Sequence, residues 1–222
     1  MKRQAQYLAA TVAIVLAVVR AGSRNPTAHS EESGWTDILP APAFQGWTRV
    51  AIPPDHPLSA TSQWTVDASN HTLVCSGDQG HEWLRYDREL ADFVLHVEWR
   101  LAKMEGDGKY NSGVFVRNSA NGRIWYQAQV GTTSAGYLFG ANPANNSLQP
   151  FDLLSSLTEN HVNDAGRWNT YDIRCQGSVI TLTVNGTKSS EFDQCHNLKG
   201  YLGLEAEGSR IEFRNVRIRN LR

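Results

Sequence analysis

The stretch FVLHVEWRL, residues 93–101, fixes the kind of fold this chain can adopt. Phe93, Leu95, Val97, Trp99 and Leu101 fall on one side of an extended chain, and Val94, His96, Glu98 and Arg100 fall on the other. Strict alternation over that length is the signature of a strand with one face in a core. The alternation recurs in WYQAQVG and YLGLEAE, and further strands are read in the β-branched and aromatic run SGVFVRN, on both sides of Gln176-Gly177-Ser178 up to the Asn185-Gly186 turn, and in IEFRNVRIRNL. No segment holds a 3.6-residue period long enough for a helix; Asp152 to Leu157 could form one turn. Many short strands with Gly and Asn turns predict an all-β, two-sheet antiparallel sandwich, with a closed barrel as the alternative. In a curved sandwich one face of a sheet packs on its partner while the concave outer face is free to carry a groove.

The rest of the chain limits partners and compartment. The formal net charge is −1, which gives no electrostatic reason to expect nucleic acid. Lys2 and Arg3 precede an apolar run, Tyr7 to Val19, short for a bilayer span and suited to a signal peptide. The expected organisation is a signal peptide over 1–22, a small-residue linker over 23–42, and one sandwich domain over 43–222. An uncleaved anchor is the alternative for the first segment. The mature chain is then exported, periplasmic or extracellular, with no membrane span. Of the three cysteines, Cys175 and Cys195 flank a hairpin and form the favoured pair in an oxidising compartment; Cys75 reads as buried.

Four segments carry a resemblance: DFVLHVEWR (92–100), YNSGVFVR (110–117), WNTYDIRCQGSVITLTVNG (168–186) and GYLGLEAEGSRIEFRNVRIRNL (200–221). In this order the chain resembles the 3-keto-disaccharide hydrolase domain family from about Phe44 onward. The resemblance implies a jelly roll of the concanavalin A-like lectin/glucanase type and exported proteins acting on glycosides whose sugar carries a 3-keto group. A ketone at C3 acidifies the C2 hydrogen, so a base there can drive elimination of the C1 substituent, helped by an acid and an enolate stabiliser. Direct hydrolysis would need two carboxyls. The chain departs from the family pattern at two places. Many members read Tyr-Glu-x-Gln where it has Tyr126-Gln127-Ala128-Gln129, and Leu-Gln-x-His-Gly where it has Leu204-Glu205-Ala206-Glu207-Gly208.

Glu205 and Glu207, on one face of a strand, are the first catalytic candidates; the bland alternative is a solvated face paired with Arg210, Arg214 or Arg217. Glu98 is the third, with Arg100 as a substrate-orienting or merely ion-paired neighbour. Asn111 and Arg117 bracket a strand and are read as binding residues, against Asn111 as a turn residue. Gln127 and Gln129 project together and can each bind a hydroxyl pair. Trp125 beside them is the favoured stacking platform, with Trp83, Tyr126 and Tyr137 as further candidates. Trp47, Trp64, Trp99 and Trp168 are expected in the core. Gly136 to Gly140 reads as a rim loop. Asp78, Asp87, Asp107 and Asp152 lack the spacing of a calcium loop, so no cofactor or metal is expected beyond a possible structural calcium. Sequons stand at Asn70, Asn145 and Asn185. The expected function is cleavage of 3-keto-glycosides, with a non-catalytic carbohydrate-binding module as the alternative.

Overall fold

A computed structural model describes residues 34–105 and 109–221. The expected signal peptide, the start of the expected linker and Asp107 lie outside the described residues. Fifteen strands follow in chain order: β1 (Thr36–Asp37), β2 (Trp47–Ala51), β3 (Trp64–Asp67), β4 (Thr72–Cys75), β5 (Glu82–Tyr86), β6 (Phe93–Leu101), β7 (Ser112–Asn118), β8 (Trp125–Val130), β9 (Leu138–Ala144), β10 (Ser147–Asp152), β11 (Asn169–Gln176), β12 (Val179–Val184), β13 (Thr187–Phe192), β14 (Tyr201–Ala206) and β15 (Ile211–Asn220). One 3-10 turn, Leu154–Ser156, sits where a single turn was expected. Among the described residues no helix is long and apolar enough to cross a membrane.

The strands form two antiparallel sheets. One has eight strands in the order β13-β12-β11-β6-β15-β4-β3, with β1 also pairing β15; the other has seven, in the order β10-β9-β8-β7-β14-β5-β2. Both are open, so the barrel alternative falls away. Alternation explains what lies between them. Leu95, Val97 and Trp99 of β6 and Tyr171 and Ile173 of β11 face Val114 and Val116 of β7, Tyr126 and Ala128 of β8, and Leu202 and Leu204 of β14 in one core. Two polar ties cross it. The Tyr171 hydroxyl donates to the Gln129 carbonyl at 2.6 Å, and the Trp64 indole N–H donates to Glu82 at 2.8 Å. Glu82, 1% exposed, also takes a two-pronged bond from Arg49. Each tie satisfies a buried polar group that would otherwise cost stability.

Three sequence expectations change here. The expected linker overlaps the domain: Thr36 and Asp37 pair with Ile218 and Arg217 of β15, and Ile38 is 6% exposed in the core. Small polar composition concealed it, because a two-residue strand leaves no periodicity to read. Cys175 and Cys195 are free thiols. Cys195 Sγ instead stands 3.4 Å from the Asn197 carbonyl and 3.7 Å from the Arg117 guanidinium, while burial pushes the Cys175 thiol up and that of Cys75 to about 12. Trp47, Trp64 and Trp99 are core residues, but Trp168 is half-buried on the outer face, between the guanidiniums of Arg100 at 4.6 Å and Arg214 at 3.9 Å. Cation–π stacking holds it there.

Candidate functional site

The outer face of the seven-stranded sheet carries a recess of about 430 Å³, within the size range of small-molecule sites. The residues that alternate with the core supply its floor. On β8, Tyr126, Ala128 and Val130 point inward, so Trp125, Gln127 and Gln129 point out; on β14, Leu204 and Ala206 point inward, so Glu205 points out, and Glu207 follows just past the strand. Glycines bring these chains together. A methyl at Gly113 would collide with the Gln127 carboxamide, and one at Gly203 would strike the Trp83 ring. Each side chain therefore lies flat across a neighbouring strand that has no side chain of its own there.

At the centre is Glu205, only 3% exposed although it faces outward. Its Oε1 lies 2.9 Å from His81 Nε2, and its Oε2 accepts a bond from Gln127 Nε2 at 2.7 Å. Glu207 Oε2 stands 3.7 Å from the same imidazole nitrogen. Gln127 also donates to Gln129 Oε1 at 3.2 Å, and Gln129 donates to Asn111 Oδ1 at 2.8 Å. Ser112 fixes the strand by donating to the Glu205 carbonyl at 2.8 Å. Burial pushes the Glu205 carboxyl up, with the Glu207 charge adding; the bonds from His81 and Gln127 pull the other way and lose. Burial disfavours a charged His81, but its bond to Glu205 and the charges of Glu205 and Glu207 win, and its pKa moves up. Both partners hold protons more tightly than usual, as a pair suited to proton transfer near neutrality does. The donor atoms of His81, Glu205 and Glu207 lie within 4.8 Å of one another, so the same trio could ligate a divalent cation.

The structure gathers Glu205, Glu207, Asn111, Trp125, Gln127 and Gln129 around this recess. It places three other candidates elsewhere. Glu98 and Arg100 belong to β6 in the opposite sheet and face outward there. Glu98 accepts from Arg214 Nε at 2.7 Å and Asn215 Nδ2 at 2.6 Å, while Arg100 pairs with Glu212. Alternation reveals which face a side chain takes but not which sheet its strand joins. Arg117 is fully buried. It has a left-handed φ of 53°, and the register between β7 and β14 slips beside it. That bulge turns its guanidinium inward, where it donates to the carbonyls of Ala91 and Gly177 and to Asp92. Tyr126, offered as a stacking candidate, is in the core and bonded to Asn142. Residues 138–140, expected in a rim loop, open strand β9. Asp78, Asp87 and Asp152 each serve a local bond, to Ser76, to Thr48 and Arg85, and to the Leu154 amide. Sequence reasoning missed His81, Phe115 and Phe139. The signal for His81 was its place two residues before Trp83, on the same side of the incoming strand.

Fold and recess together define the class: a concanavalin A-like β-sandwich with an open recess on its outer face. Within it, the chain belongs to the family described as the 3-keto-alpha-glucoside-1,2-lyase-like domain, which matches residues 34–219. Among solved structures it is similar to a "putative glycosyl hydrolase" from Parabacteroides distasonis ATCC 8503, at 15% identity and a TM-score of 0.60, over 85% of this chain and 94% of that one. It is also similar to the carbohydrate-binding module CBM66 from Bacillus subtilis, at 14% identity and a TM-score of 0.57, over 79% and 96%. LamA from Z. galactanivorans, solved with laminaritriose and laminaritetraose, aligns at 13% identity and a TM-score of 0.52, over 79% and 92%. At these identities the structural matches establish the fold alone. No curated protein matches the chain in sequence.

Proposed function

We propose that the protein cleaves 3-keto-glycosides by elimination across C1 and C2, with Glu205 as base and His81 as acid. The Glu205 carboxylate takes the C2 proton, and the electrons pass to the C3 carbonyl as an enolate. The enolate then re-forms the ketone, a C1–C2 double bond forms, and the C1–O bond breaks. The departing oxygen takes the His81 proton. The products are a 1,2-unsaturated 3-keto sugar and a free alcohol. Asn111 Nδ2 has no protein acceptor among the described residues and is available to the enolate oxygen. The observation carrying this reading is the buried carboxylate on the floor of an open recess, joined directly to an imidazole. His81 stands between the two carboxyls, which favours a base–acid pair over two carboxyls flanking a glycosidic bond. Glu207 supports the imidazolium.

The test is release of a chromogenic aglycone from a 3-keto-glucoside, together with the ultraviolet absorbance of the conjugated enone. Glu205→Gln keeps the size of the side chain and removes the base, so turnover should fall by about 100-fold or more. Unchanged turnover in Glu205→Gln defeats the mechanism. Binding without release by the wild type supports a carbohydrate-binding module instead. Turnover should survive EDTA; loss in EDTA with recovery on adding manganese would recast the trio as metal ligands.

A further inference from the structure

Strand register draws one row of outward positions across the floor of the recess. Trp83 of β5 pairs Glu205 of β14, and Gly113 of β7 pairs Gln129 of β8. Leu204 pairs Val114, so Glu205 and Gly113 stand opposite each other one step along. The Gln129 amide donates to the Tyr137 carbonyl at 3.0 Å, and Leu138 points into the core, so Tyr137 faces outward beside Gln129. The row is therefore Trp83, Glu205, Gly113, Gln129 and Tyr137. His81, Glu207 and Asn111 stand one outward position to the same side of it.

The proposed reaction gives this row a direction. The C1 oxygen meets His81, C2 lies over Glu205, and the C3 oxygen meets Asn111. Ring atoms thus follow the strand order β5, β14, β7, and C4 comes next, toward β8 and β9. Gln129 has no hydrogen to offer there, because its amide donates to Asn111 Oδ1 at 2.8 Å and to the Val130 carbonyl at 3.2 Å. Tyr137 has one. It lines the recess, is only 8% exposed, and its hydroxyl has no protein partner among the described residues. Phe139 packs against its ring at 5.5 Å between centroids. Burial, with the Asp152 charge adding, raises its pKa, so the proton stays on and the hydroxyl can both donate and accept. The other free donors of the recess lie off this line. Asn118, Asn121 and Trp125 belong to the end where β7 turns into β8, and Trp125 is four residues along β8 from Gln129, roughly 13 Å. Trp83 lies on the C1 side of Glu205.

We infer that Tyr137 is a specificity residue whose hydroxyl bonds the C4 hydroxyl of the keto sugar. This rests on the proposed placement of that sugar at His81, Glu205 and Asn111. Tyr137→Phe removes an oxygen that no protein group uses, so the fold stands. Two substrates are compared: a 3-keto-glucoside with a chromogenic aglycone, and its 4-deoxy counterpart. The wild type should lose about tenfold in kcat/KM on the 4-deoxy compound. Tyr137→Phe should lose about tenfold on the parent and no more than about twofold on the 4-deoxy compound, which couples the residue to that one hydroxyl. Equal losses on both substrates, or none on the parent, overturn the inference. Calorimetry on Glu205→Gln, with and without Tyr137→Phe, reads the same pattern in affinity. If the affinities show it while the wild type turns over neither compound, the elimination fails and the C4 contact stands. If turnover proceeds without the coupling, the contact fails and the elimination stands.

Discussion

At the scale of single residues, the departure from the family pattern at position 127 resolves in space. Gln127 lacks a carboxylate, yet its amide donates to Glu205 on another strand, where the family pattern places Gln. The recess thus holds an acid and an amide in direct contact across two strands. The contact depends on Gly113, whose missing side chain leaves room for the Gln127 carboxamide. Gly113 does not need a glycine-only φ, so Gly113→Ala should fold, as far-UV circular dichroism would show. It should displace Gln127 and lower kcat by about tenfold. Because the Gln127 bond holds the Glu205 pKa down, its loss should also shift the acid limb of the pH–rate profile upward. A profile and kcat unchanged by the methyl would remove Gln127 from the machinery. Glu205, Glu207, Trp125, Gln127 and Gln129 were legible from alternation, since period two assigns the outward face of a strand, whereas Asn111 was read only from its place at the opening of one. His81 was missed because it stands one residue before its strand begins, and only its spacing of two from Trp83 marks its side.

Elements decide what alternation cannot. β6 has the most regular pattern in the chain, and it misled, because a perfect strand can join either sheet. Its outward Glu98 and Arg100 therefore face away from the recess. β7 misled differently: the bulge at Arg117 reverses one side chain and spends it on carbonyls at the end of the core. The two sheets are tied through Glu82 of β5, which bonds Trp64 of β3 and Arg49 of β2 at once. Glu82→Ala would strand a guanidinium and an indole N–H beside the core. The expected loss is about 3 kcal/mol or more in urea unfolding, far above the loss for a surface ion pair such as Lys199–Glu89. Equal losses at the two sites would show that the tie is not needed. His81 adjoins Glu82, so this tie also anchors the acid.

For the whole molecule, the proton-holding pair makes stability depend on pH. The Glu205 pKa is raised above its ordinary 4.5, so its contribution is full below that value and is lost as pH rises through the folded value. The His81 pKa is raised above 6.5, so its contribution is full below 6.5 and is lost above its folded value. Glu98 runs the other way. Burial raises its pKa, its bonds to Asn215 and Arg214 outweigh that, and stability falls as acid titrates it. Thermal melts of the wild type should therefore decline from about pH 5 to pH 8, and Glu205→Gln should flatten that decline and melt no lower near neutrality. Parallel curves for the two proteins would mean that Glu205 ionises without penalty.

Sequence alone determined the class of fold, the inward and outward faces of β6, β8 and β14, and most of the recess floor. Those properties are local: they follow from the period of extended chain and from which side chains water excludes. Tertiary structure decided which strands share a sheet, where a bulge reverses the alternation, and that His81 meets a carboxylate 124 positions away in the chain. Such pairings are fixed by which faces can bury each other across the whole molecule, and no window of sequence contains both partners.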